Sequence, residues 1–167
     1  LSRESGSTLF MTLLTSWNIL VSRYTGQQDI CIGTPVAGRH HQSVENLIGC
    51  FVNTLVIRSH LQDNPTFSSL LEQTKTTALM AYQYQDVPFE KLVEVLQPTR
   101  DMSHSPLFQI MFTLQNSVDN EIDLGDLKLE PVMAQTKTSK FDLTVSLVEN
   151  NEMICGSIEY SVDLYHQ

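Results

Sequence analysis

The sequence predicts an α/β domain: a mixed β-sheet flanked by helices. Three observations point there. Leu9 to Tyr24 repeats apolar residues at helical spacing. Phe51 to Arg58 is rich in β-branched residues, and Phe108 to Leu114 alternates apolar with polar side chains. Asn64-Pro65 starts a second long helical pattern between these strand-like segments.

The elements follow in order. Leu9, Phe10, Leu13, Leu14, Trp17, Leu20, Val21 and Tyr24 form one apolar stripe, with Ser7 or Thr8 as start cap and Gly26 as a left-handed stop. Asp29 to Gly33 reads as a short buried strand, and Thr34 to Arg39 as a loop punctuated by Pro35 and Gly38. Phe51 to Arg58 is the next strand. Asn64-Pro65 starts a second long helix, with Pro65 at its first position and Phe67, Leu70, Leu71, Leu79 and Tyr82 on the apolar face. Pro88 opens a shorter helix that turns Phe89, Leu92, Val93 and Leu96 inward and ends before Pro98.

The rest is β. Phe108, Ile110, Phe112 and Leu114 share the inner face of a half-buried strand. Ser117 to Asp126 is an acidic, exposed loop, and Leu127 to Val132 a weaker strand kept to an edge by Pro131. Phe141, Leu143, Val145 and Leu147 pair with Ile154, Ile158 and Tyr160 in a hairpin turning at Asn150-Asn151.

The 167 residues are 41% hydrophobic and 17% charged, enough for one compact domain or for half of a larger one. No apolar run approaches the roughly 20 residues that span a bilayer, and no basic leader precedes an apolar stretch. The helix that begins almost at once and the finish at Asp163–Gln167 just after a strand make both ends expected cuts through a longer protein. With 10 basic against 19 acidic residues, the formal charge of −9 disfavours nucleic acid and serves solubility. Cys31, Cys50 and Cys155 lack CxxC spacing and sit in apolar runs, as small buried hydrophobes in a reduced, cytoplasmic setting.

Chemistry-bearing motifs are mostly absent. There is no GxSxG elbow, no phosphate-cradling glycine loop and no histidine spacing suited to a metal. The adjacent pair in His40-His41-Gln42-Ser43-Val44-Glu45-Asn46 reads as a loop coincidence.

Four blocks carry a resemblance. They are Ile32-Gly33-Thr34-Pro35-Val36-Ala37-Gly38-Arg39, Ile48-Gly49-Cys50-Phe51-Val52-Asn53-Thr54-Leu55-Val56-Ile57-Arg58, Gln85-Asp86-Val87-Pro88-Phe89-Glu90, and Arg100-Asp101-Met102-Ser103-His104-Ser105-Pro106-Leu107-Phe108-Gln109. In that order and spacing they resemble the condensation domains of nonribosomal peptide synthetases, from Leu9 to Tyr165. Tyr84 stands where the family often has His, and His104 where it usually has Arg. The family's HHxxxDG motif is missing; in the His40-His41 run Glu45 and Asn46 replace its Asp and Gly, and the run follows the first block instead of preceding it.

The resemblance implies the C-terminal half of a V-shaped domain related to chloramphenicol acetyltransferase. The absent N-terminal half would bring the catalytic motif, and this half the opposite wall of a tunnel. No cofactor is expected to bind directly; the phosphopantetheine arms of peptidyl and aminoacyl carrier proteins would tether the substrates, with an adenylation domain adjacent. No catalytic residue and no metal ligand is expected in this chain. Asn53 is the tunnel candidate, with a backbone-satisfying role as its alternative. Gly33, Pro35 and Gly38 would set backbone shape, Arg39 and Arg58 pair with carboxylates, Pro88 and Phe89 start and anchor a helix, and Arg100 and Asp101 fix a loop. The competing readings are an epimerization or heterocyclization relative, and a non-catalytic half-domain that binds carrier protein or scaffolds its partner. The Phe51-Val52-Asn53-Thr54-Leu55 form of the second block favours condensation.

Overall fold

The computed structural model describes residues 1–39, 42–45, 47–99, 105–116, 138–150 and 153–165. Helix α1 spans Leu9–Thr25. The Thr8 hydroxyl accepts from the Met11 N–H, and Gly26 closes the helix at φ +70°. Both caps fall where side-chain chemistry demands them. Met11, Leu14 and Val21 are buried, while Leu20 and Tyr24 face outward, leaving the predicted stripe narrower.

Strand β1 runs Asp29–Val36, three residues beyond the expected stop at Gly33. Thr34, Pro35 and Val36 pair with Leu55, Thr54 and Asn53 of β2, which spans Asn53–His60. Pro35 is tolerated because the parallel pairing on its other side involves only Ile32 and Gly33. Between these strands lies α2, four residues from Gln42 to Glu45.

Helix α3 spans Phe67–Gln83. Its N-cap is Thr66, whose hydroxyl accepts from the Ser69 N–H, so Pro65 precedes the cap and does not occupy the first turn. Leu70, Leu71 and Ala78 are buried; Leu79 is exposed, contrary to the predicted face. Helix α4 spans Phe89–Leu96 and ends at Gln97, before Pro98 as expected. It buries no residue, and Leu96 points to solvent. Strand β3 covers Ile110–Asn116, β4 Leu143–Asn150 and β5 Met153–Tyr160. The predicted hairpin is β4–β5, pairing Leu143 with Tyr160 and Val145 with Ile158. The 117–126 loop and the 127–132 strand lie outside the described residues.

The sheet order is β2-β1-β3-β4-β5. β1–β2 and β4–β5 are antiparallel, β1–β3 and β3–β4 parallel, so the sheet is mixed as predicted. Helices α1 and α3 cover one face. There Leu14, Ile32, Ile57, Leu70, Leu71 and Phe112 form a core, with Phe10 and Trp17 tilted against Phe112. Each such side chain stabilises by about 1.5–3 kcal/mol on burial. Asn18 in this core donates to the Ser59 hydroxyl at 2.9 Å. Burying that amide without a partner would cost about 1–3 kcal/mol.

Candidate functional site

The four sequence blocks meet on the other side of the sheet. Gly33 points away from the core, because its neighbours Ile32 and Thr34 point into it. The Phe108 ring fills the space where a Cβ would stand, and a side chain at Gly33 would overlap it. Phe108 therefore precedes β3 and packs on the opposite face, not in line with Ile110 and Phe112 as its alternation suggested. It stacks between Phe89, at 5.7 Å, and Phe141, at 5.2 Å.

The loop after β1 closes on itself. Gly38 adopts φ +63° where any Cβ would collide with the Phe51 carbonyl, so only glycine fits. Arg39 then collects four carbonyls: Nη1 donates to Val44 at 2.9 Å, Glu45 at 3.1 Å and Leu47 at 2.6 Å, and Nη2 to Gly49 at 3.0 Å. Its guanidinium also lies 4.6 Å from the Phe51 ring centre. Among the described residues Arg39 thus meets backbone carbonyls where a carboxylate partner was expected, its planar fork tying together the segment from Val44 to Gly49. His40, His41 and Asn46 lie outside the described residues.

Asn53 connects two blocks. Its Nδ2 donates to the Gln85 carbonyl at 2.8 Å and the Val87 carbonyl at 2.8 Å, and its Oδ1 accepts from the Phe89 N–H at 3.1 Å. Both amide protons are thus committed to backbone between α3 and α4. Pro88 is the residue before the first turn of α4, as expected of a helix opener, and provides no capping side chain.

Together these residues frame a cleft of about 680 Å³. Gly38, Cys50–Thr54, Gln85, Pro88 and Phe89 line it, with Ser105 and Phe108 from the fourth block. Asp86, Glu90, Lys140 and Phe141 complete its wall. Sequence reasoning named Phe89 only as a helix anchor, and missed its packing with Phe108 and Phe141 and the place of Cys50 in the cleft. Cys50 and Cys155 are exposed and Cys31 half-buried, so the cysteines are not the buried hydrophobes their apolar neighbours implied. Burial pushes the Cys31 thiol up. A second crevice, of about 490 Å³, lies by the start of α1 and receives only Thr34 and Pro35 from the blocks. The cleft is the better candidate because all four blocks build it.

Arg58 does not reach the cleft. At the far end of β1 and β2 it grips Asp29 with two bonds, Nε to Oδ1 at 2.8 Å and Nη2 to Oδ2 at 2.6 Å. That guanidinium holds the Asp29 carboxyl below its usual range. The pair is exposed, so its worth is small. Arg100, Asp101 and His104 lie outside the described residues. Among the described residues no three His, Cys, Asp or Glu side chains gather to hold a metal ion, and no helix is long and apolar enough to cross a membrane.

With this geometry the comparisons with known proteins agree. The chain belongs to the condensation domain family, whose profile matches residues 1–167. It is 47% identical over 165 residues to malpinin synthetase of Mortierella alpina, a match that covers 99% of this chain and 2% of that synthetase. It is 46% identical over 167 residues to tyrocidine synthase 3 of Brevibacillus parabrevis, covering 100% of this chain and 3% of that synthase. The chain thus spans only a small part of the length of these relatives. Among solved structures it resembles the X-domain from teicoplanin biosynthesis, with a TM-score of 0.85 and 25% identity, covering 99% of this chain and 38% of that one. The condensation domain of a monacolin K polyketide synthase shares the fold at a TM-score of 0.83 and 23% identity, again over 99% of this chain and 38% of that one.

Proposed function

We propose that this chain is the C-terminal half of a condensation domain that joins a carrier-bound donor acyl or peptidyl thioester to a carrier-bound acceptor aminoacyl thioester. The match to the condensation family along all 167 residues carries this reading. The four blocks converging on one cleft support it. In the reaction the acceptor amine attacks the donor carbonyl, forming a C–N bond; the C–S bond breaks, the amine loses a proton and the donor's phosphopantetheine thiol departs. Such a step needs positioning, an acceptor for the amine proton and donors for the tetrahedral oxyanion. The HHxxxDG motif of the N-terminal half would handle the proton. This chain would contribute the opposite wall: the cleft's aromatic lining excludes water beside a channel for the phosphopantetheine arms. Carrier proteins, an adjacent adenylation domain and a cytoplasmic setting belong to the same reading.

The test is reconstitution. A full-length protein containing this chain, loaded with donor and acceptor thioesters on carrier proteins, forms the amide-linked product. The 167-residue chain alone forms none above the uncatalysed rate. Product from the isolated chain that disappears on His41→Ala would overturn this division of labour. A non-catalytic binding half-domain is the second reading: the X-domain it resembles has also been solved in complex with another protein, OxyB. Absence of product from the full-length protein, with carrier binding retained, would favour it.

A further inference from the structure

We infer that Asn53 is a positioning residue, a strut that holds α4 and one wall of the cleft against β2. The inference rests in part on the reading of the cleft as a substrate channel.

Helix α4 is weakly attached. It buries no residue, and its N-cap Pro88 makes no capping bond. A helix start leaves four N–H groups to be satisfied from elsewhere. Here the Phe89 N–H is met from another element, by Asn53 Oδ1 at 3.1 Å. The same side chain donates to Gln85 and Val87, both at 2.8 Å. One amide therefore fixes the end of the α3–α4 turn and the start of α4 at once. Asn53 itself is held in register, paired with Val36 at the start of β2. What it positions is Phe89, whose ring packs on Phe108 in the cleft. Only an amide does this, because the position needs two donors and one acceptor on one planar group. An aspartate would keep the bond to Phe89 but turn an oxygen toward two carbonyls.

A residue so committed has no amide proton left for a developing oxyanion. The strut and a direct oxyanion donor therefore differ in what Asn53→Ala does in the full-length protein. For a strut, amide hydrogen exchange across 85–96 accelerates about tenfold or more while the α1 amides keep their protection. The concentration of carrier-bound substrate needed for half-saturation rises, and the saturated single-turnover rate stays within about threefold. For a direct donor, that saturated rate falls about 10²–10³-fold and exchange across 85–96 is unchanged. A second change, Pro88→Ser, gives α4 its own cap. Added to Asn53→Ala it restores protection of the α4 amides but leaves the half-saturation concentration raised, because Gln85 and Val87 remain untied. Unchanged exchange in Asn53→Ala overturns the strut, as does full recovery with Pro88→Ser. Because exchange needs no substrate, the strut is tested even if the full-length protein forms no amide product.

Discussion

Gly33 decides how closely the Phe108 ring approaches the sheet, since the ring occupies the volume of the missing side chain. Phe108 is 1% exposed and has no room to retreat. Gly33→Ala is therefore expected to destabilise the chain by about 1–3 kcal/mol, the usual cost of overpacking. Urea denaturation checks this, and Phe108→Leu in the same background should recover part of the loss. No loss in Gly33→Ala would mean the ring has space the packing denies. Arg39 shows the same principle with a charge. Nothing near it in the chain hints that its partners are carbonyls, because they belong to a loop whose closure depends on Gly38 and Phe51.

At the scale of elements, caps were the most legible feature where the capping group is local. Gly26 ends α1 as predicted, and of the two expected start caps, Ser7 and Thr8, the structure uses Thr8. The first residue of α3 moved from Pro65 to Phe67, because the Thr66 hydroxyl that accepts from the Ser69 N–H makes Thr66 the cap and outweighs a favourable proline. Helix α4 ends at Gln97, which takes the left-handed conformation at φ +43°. A side chain is strained there and glycine is not. Gln97→Gly is expected to raise stability by about 0.5–1 kcal/mol, read as a higher Tm in thermal unfolding. A lower Tm would show that the side chain of Gln97 contributes more than the strain it bears. Strand lengths were less legible: β1 runs through Pro35 because its antiparallel partner β2 continues beside it.

For the molecule as a whole, the helices protect one end of the sheet more than the other. Ile154 and Ile158 lie on the same face as Val145 and are 46% and 56% exposed, and Met153 on the same edge strand is 66% exposed. Among the described residues no strand pairs with the outer edge of β5, and an edge strand with exposed apolar side chains favours association. The 167-residue chain is expected to form dimers or larger species at high concentration, and Ile158→Lys to shift it toward monomer in sedimentation velocity. A clean monomer without the substitution would refute this. Local chemistry, by itself, determined the α/β class, both long helices and the β4–β5 hairpin, because each rests on periodicity or on residues close together in the chain. The four blocks marked the family only through their resemblance to it. Only the tertiary structure decided that Asn53 serves the α3–α4 turn, that Phe108 lies against Gly33 and that Arg58 sits far from the cleft. Those partners are separated by 32 to 36 residues for Asn53 and by 29 for Arg58. Alternation gives the face a side chain points to; which distant backbone or ring waits there is set by how the sheet and helices pack.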